Sequence, residues 1–157
     1  RIRPEGRMSA LGIYRADCGT ECERITGREA GVPEPDLLDA QVWACTVCPE
    51  AWAPSAADGS AVGLPAGEKT REARAMLRER QVERLVDEAL RHCPNGRTIA
   101  EERVAPFLAH ALRLPASEAA IDRLDIVWCR RAWRALQGAS YADVTRHAQT
   151  YRPRKAA

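Results

Sequence analysis

Two cysteine pairs supply the side chains of this chain that are best suited to chemistry. Cys18 and Cys22 are separated by three residues, and Cys45 and Cys48 by two. At such spacings both sulfurs of a pair lie on one short turn and can face the same metal ion. Two turns of this kind supply the four soft ligands of a closed tetrahedral Zn²⁺ site. The sequence therefore predicts a metal centre with Cys18, Cys22, Cys45 and Cys48 as ligands.

The sequence leaves open which metal is bound and whether other residues are ligands. Four thiolates also hold Fe–S clusters, so an Fe–S cluster is the alternative to Zn²⁺. Cys93 continues the apolar stripe of a predicted helix and Cys129 lies on another beside Trp128, so we expect both in the core. His110 and His147 stand alone on predicted helices, and neither is predicted to bind the metal.

The sequence favours a binding protein over an enzyme. A closed four-thiolate site has no open position for water and is usually structural. No Ser/His/Asp set, paired carboxylate motif or glycine-rich nucleotide loop stands out in the 157 residues. We therefore predict no catalytic residues and no small-molecule substrate.

Composition limits the class of protein. Hydrophobic residues make up 45% of the chain but aromatic residues only 5%, which is typical of a helical protein with a thin core. No apolar run approaches the roughly 18–20 residues that cross a membrane, and no secretory segment is present. Six cysteines in a reducing compartment favour metal binding over disulfides. We expect a cytoplasmic protein with no membrane partner.

Positive charge is concentrated towards the end of the chain. From Arg130 onward there are seven Lys and Arg residues against one Asp, a net charge of +6, whereas the whole chain carries +2. A basic segment on a mildly acidic body suits contact with phosphates. The predicted nucleic-acid-binding residues are Arg15, Arg130, Arg131, Arg134, Arg152, Arg154 and Lys155.

The predicted fold is mainly α, with a small zinc-ribbon-like N-terminal lobe and a bundle of three or four helices. Residues 1–8 are expected to be a non-native or disordered leader, because Met8-Ser9-Ala10 resembles a translation start. The lobe covers 9–53, with a short strand at Gln41–Cys45. Residues 54–67 are predicted to be a linker loop, 68–151 the bundle and 152–157 a basic tail.

Four helices are predicted within the bundle. A long amphipathic helix covers 69–92, and a capping box from Thr98 to Glu101 opens the second helix, which Pro106 kinks or splits. Ser117 or a neighbour caps a third helix that ends at Gly138. A short fourth helix begins near Tyr141.

The order of these pieces resembles the bacterial and phage zinc-finger-containing domain proteins, a family without an assigned activity. The resemblance implies a zinc-binding phage or mobile-element accessory protein. That family usually has a cysteine three residues before the Cys-Gly cysteine; Arg15 stands there, so Cys22 has to substitute. It also tends to carry two histidines where this chain has Gln81 or a neighbour, and Ala120. The matching segments, within residues 14–137, are Cys18-Gly19, Trp43 to Cys48, Leu64-Pro65, Thr70 to Arg74, Leu85 to Leu90, Phe107 to Ala109 and Ile121 to Cys129.

A weaker resemblance is to the WhiB-like regulators, which carry a four-cysteine Fe–S site. It rests on Cys48-Pro49 followed by Glu50. No further cysteine follows until Cys93, and the family's Gly-Val/Ile-Trp-Gly-Gly turn is missing. The resemblance implies an Fe–S transcription regulator as a second alternative.

Two functions follow from these features. The first is a zinc-binding, non-catalytic module that associates with nucleic acid or a nucleoprotein complex. The alternative is a protein–protein adaptor in which zinc is purely structural. Exposed tryptophans at 43 and 52 would suit its interface, although we expect both to cover the metal lobe. One continuous arginine face favours nucleic acid, whereas an apolar patch remote from the basic tail favours the adaptor.

Overall fold

A three-stranded antiparallel sheet is the framework of the first part of the chain. The computed structural model describes residues 16–48 and 50–150, with side chains described up to residue 148. The strands are β1 (Cys22–Thr26), β2 (Gln41–Cys45) and β3 (Trp52–Pro54), in the order β1-β2-β3. The strand predicted at Gln41–Cys45 is therefore confirmed.

Strand register separates an apolar face of this sheet from a cysteine-bearing face. Ile25 pairs with Val42 and Ala44 pairs with Trp52, so these side chains share one face because strand residues alternate between faces. Val42, Ala44 and Trp52 are buried there in a small core with Val32. Cys22 is paired with Cys45 and lies on the other face.

A single helical turn, α1 (Gly27–Ala30), follows β1. Thr26 and Glu29 form a capping box, in which the Thr26 hydroxyl accepts from the Glu29 amide and the Glu29 carboxylate accepts from the Thr26 amide at 2.9 Å. A Cβ at position 27 would collide with the backbone of Leu37, so only glycine fits at this position.

The segment predicted as a linker, 54–67, folds back on the sheet. Ser55 bridges to Ala61, and Trp52 exchanges backbone hydrogen bonds with Ala66, which is fully buried. Among the described residues, this segment belongs to the first of two compact units, which ends at Gly67, and the helices after α1 belong to the second, which begins at Glu68.

The second unit begins with the predicted long helix. It runs from Glu68 to His92 as α2 (Glu68–Met76), a π-helical segment (Leu77–Val82) and α3 (Glu83–His92). It is followed by α4 (Arg97–Leu112), α5 (Ile126–Gln137) and α6 (Tyr141–Thr150). The mainly-α prediction is confirmed, and the helices bury a core centred on Leu85, Val86, Leu108, Leu136 and Val144.

The second helix begins differently from the prediction and is not interrupted. The capping box at Thr98–Glu101 is wrong: Gly96 occupies the N-cap position without a side-chain cap, and Glu101 instead pairs with Arg97 at 3.0 Å. Pro106 does not split α4, which continues to Leu112. Proline has no backbone N–H, so α4 lacks one hydrogen bond at this residue. The helix tolerates this loss because Val104, Phe107 and Leu108 are buried and hold it in place.

The third helix starts later than Ser117. Residues 116–118 and 121–123 form two short 3₁₀ turns, and Leu124 is extended. The Asp125 carboxylate then accepts from the Trp128 amide at 2.8 Å and caps α5. Arg74 is buried in α2 and donates from Nε to the Leu124 carbonyl at 2.9 Å, which fixes the chain just before this cap.

Candidate metal centre

Three cysteine sulfurs converge beside the first sheet. The Sγ atoms of Cys18, Cys45 and Cys48 all lie within 4.8 Å of one another. In a tetrahedral Zn²⁺ site with bonds of about 2.3 Å, neighbouring sulfurs are about 3.8 Å apart. Small side-chain movements therefore suffice for the three thiolates to contact one ion.

The turn after β2 supplies two of these sulfurs. β2 ends at Cys45, and the Cys48 amide donates to the Cys45 sulfur at 3.3 Å. An amide that points at sulfur stabilises the negative charge of a metal-bound thiolate and fixes its direction. Glu50, two residues after Cys48, has a positive φ of 66°, so the chain turns sharply behind the pair.

The third sulfur comes from the turn before β1. Cys18 is exposed, and its thiol donates to the Thr20 hydroxyl at 3.1 Å. Gly19 follows with a φ of +65°, a left-handed conformation that lets the chain reverse directly after the cysteine. The Ala16 amide, which donates to the Pro65 carbonyl at 2.9 Å, anchors the start of this turn.

A hydrogen bond and a strand pair join the two turns. The Thr46 hydroxyl donates to the Glu21 carbonyl at 3.2 Å. The next residue, Cys22, is the strand partner of Cys45. Thr20 and Thr46 thus support the site, although sequence analysis did not single them out.

Cys22 is close to this site but outside the three-sulfur group. It is only 4% exposed, and its thiol donates to the Thr20 carbonyl at 3.7 Å. Directly paired residues of antiparallel strands have Cβ atoms about 4.5–5.5 Å apart on the same face. Cys22 therefore lies beside Cys45, with its sulfur turned towards the chain before β1.

The remaining cysteines have different environments. Cys129 is buried, as predicted. The prediction that Cys93 is a core residue is wrong, because α3 ends at His92 and Cys93 continues with extended backbone into solvent.

The two histidines are not isolated. Their rings stack with centroids 4.1 Å apart, which brings α4 and α6 together. Neither histidine belongs to the three-sulfur group. Since 36 residues lie between His110 and His147, no local pattern announces this contact.

Three of the predicted nucleic-acid-binding residues lie on α5, where Arg130, Arg131 and Arg134 are exposed. The other four, Arg15, Arg152, Arg154 and Lys155, fall outside the described residues.

Both tryptophans near the second turn are packed into the sheet rather than presented as exposed aromatics. Trp52 is 5% exposed and belongs to the core. Trp43 is half-buried and donates from Nε1 to the Gly59 carbonyl at 3.0 Å. This agrees with the expectation that both tryptophans cover the lobe, and neither forms an exposed aromatic interface.

Comparison of the chain with protein-family models, with curated proteins and with solved structures returned no match. The family resemblances drawn from the sequence remain predictions. Among the described residues, no helix has the length and apolar character needed to cross a membrane.

Proposed function

We propose that this protein is a non-catalytic binding module whose first unit is braced by one Zn²⁺ ion. The supporting observation is the convergence of the Cys18, Cys45 and Cys48 sulfurs within 4.8 Å. Thiolates from two separate turns cross-link those turns when they share an ion, which is the role of structural zinc in zinc-ribbon-like lobes.

Cys22 is the proposed fourth ligand. Its pairing with Cys45 places it on the ligand-bearing face of the sheet, and its sulfur and that of Cys18 both contact Thr20. A fourth thiolate closes the tetrahedron and leaves no position for a reacting water. The non-catalytic assignment depends on this closure.

Elemental analysis of the purified protein, with a visible absorption spectrum, tests the metal proposal. One Zn²⁺ per chain and no colour are the expected results. Brown absorbance with iron and sulfide in the protein favours the Fe–S alternative. A protein that stays metal-free after reconstitution with either metal contradicts both.

We further propose nucleic acid, alone or in a nucleoprotein complex, as the partner. The basic character of the chain from Arg130 onward supports this proposal, since Lys and Arg bind phosphates by charge. The adaptor alternative loses its main support because neither Trp43 nor Trp52 is exposed.

Electrophoretic shift assays at low salt, with duplex and single-stranded oligonucleotides, test whether the partner is nucleic acid. Absence of a shift with both oligonucleotides contradicts the proposal.

A further inference from the structure

We infer that the outer face of α5 is the surface that holds the phosphate backbone of nucleic acid. This inference rests on the proposed partner and assigns it a place on the molecule. The outer face consists of Val127, Arg130, Arg131 and Arg134.

The four residues form one stripe. Their positions follow the i, i+3, i+4, i+7 pattern that places side chains on the same side of an α-helix. All four are exposed, whereas Cys129, Ala132 and Leu136 on the opposite side are buried in the core. At 1.5 Å per residue the stripe is about 10 Å long.

Unlike Arg84, Arg97 and Arg146, the arginines of the outer face have no acidic partner among the described residues. Within the described part of the chain, no ion pair or hydrogen bond holds Arg130, Arg131 or Arg134, and α5 contains no Asp or Glu. By contrast, Arg97 pairs with Glu83 and Glu101, and Arg84 pairs with Glu88. The outer face therefore offers three charges that are free to bind anions.

Trp128 orients one of these charges in advance. The Arg131 guanidinium lies over the Trp128 ring, 4.7 Å from its centroid, and Trp128 itself packs against the core. A guanidinium stacked on a ring loses less conformational entropy when it binds an anion. Its five N–H donors lie in the guanidinium plane, which the ring holds in place. Arg131→Lys retains the charge but loses this orientation.

The length of the stripe also suits a nucleic-acid backbone. At about 10 Å it can contact neighbouring phosphates of one strand, and its three arginines supply the positive charge. Contacts of this kind hold the backbone and carry no base sequence information.

The test measures how binding of a duplex oligonucleotide depends on salt. Each phosphate contact contributes about 0.9 to the slope of log K against log salt. The slope is negative, so the double variant Arg130→Ala/Arg134→Ala should reduce its magnitude by about 1.8. Charges elsewhere, including the basic tail, are the same in both proteins and cancel in the difference. With a single-stranded oligonucleotide the expected difference is about 1.4.

The matched control is Arg146→Ala, which removes an exposed arginine that pairs with Asp143 at 3.5 Å on α6. Its slope should equal that of the wild type, and the melting temperature of the double variant should be unchanged. If the wild type binds and the double variant has the same slope, the assignment of this surface is contradicted. It is also contradicted if Arg146→Ala reduces the magnitude of the slope as much as the double variant does. Absence of binding by the wild type overturns the proposed partner itself.

Discussion

Cys45 is the residue on which most of the candidate centre depends. Its sulfur accepts a hydrogen bond from the Cys48 amide and lies within 4.8 Å of the Cys18 and Cys48 sulfurs. Cys45 is also the strand partner of Cys22. Cys22 itself is buried and bonded to the Thr20 carbonyl. The two cysteines are therefore expected to respond differently to substitution.

Cys45→Ser should abolish Zn²⁺ binding, whereas Cys22→Ser should weaken it and keep a bound ion. Removing Cys45 takes away a sulfur and the acceptor of the Cys48 amide, while removing Cys22 leaves three thiolates in place. Cobalt substitution checks this, because the visible bands of tetrahedral Co²⁺ move to shorter wavelength when a thiolate is replaced by oxygen. Cys93→Ser, which changes an exposed cysteine of the second unit, is the control. An unchanged cobalt spectrum in Cys22→Ser removes Cys22 from the ligand set without affecting the other three.

A carboxylate at the start of α6 gives the stability a predictable pH dependence. Asp143 accepts the Ser140 amide at 2.9 Å and its hydroxyl at 3.0 Å. These bonds hold the pKa of Asp143 below its ordinary value of 3.8, the backbone bond most strongly. Because the folded-state pKa is the lower one, this contribution is fully present above the ordinary value and is lost as pH falls through the folded-state pKa.

Asp143→Asn, which retains an acceptor but does not titrate, should be less stable than the wild type at neutral pH. The difference should shrink as the pH falls below about 4. Chemical denaturation over this pH range measures it. Arg146→Ala is the control, since it removes only the weaker ion pair of Asp143. A difference that persists undiminished at low pH contradicts the role of the ionised carboxylate.

At the scale of elements, one ion pair on α3 connects the end of α5 to the start of α6. Arg84 donates to the Leu136 and Ala139 carbonyls at 2.7 and 3.0 Å, and Glu88 accepts the Tyr141 amide at 2.8 Å. The cation thus faces the negative end of one helix and the carboxylate faces the positive end of the next. Their own pairing at 2.8 Å keeps both in place.

Glu88→Ala should lower the free energy of unfolding by about 1 kcal/mol, because the first turn of α6 loses an acceptor and a favourable charge. Urea unfolding measures the change. Asp87→Ala, which removes an exposed carboxylate one residue away, is the matched control and should be nearly neutral. Equal losses in the two variants would show that Glu88 contributes only to the general charge of α3.

At the scale of the whole molecule, the two units have cores of unequal size. The buried cluster of the first unit contains Val32, Val42, Ala44 and Trp52, whereas the helical unit buries a much larger cluster. A core of four residues stabilises a unit poorly without a cross-link. The metal is therefore expected to contribute folding free energy to the first unit alone.

Chelation of the metal should unfold the first unit and leave the helices folded. The indole NMR signals of Trp43 and Trp52 should lose their dispersion, while those of Trp128 and Trp133 in the helical unit should stay. Helical circular dichroism should change little, and added Zn²⁺ should restore the first set of signals. Concerted loss of all four signals contradicts this assignment, as does a first unit that is unchanged without metal.

The sequence by itself determined the features that depend on local spacing. Cys45 and Cys48 share one turn because two residues separate them, Gln41–Cys45 is a strand, and the long helix ends before Pro94-Asn95-Gly96. Tertiary structure decided features that depend on distant neighbours. The Cys18 sulfur reaches those of Cys45 and Cys48 because a contact between residues 25 positions apart holds the two turns together. The pairing of Arg97 on α4 with Glu83 on α3 likewise depends on which helices pack together.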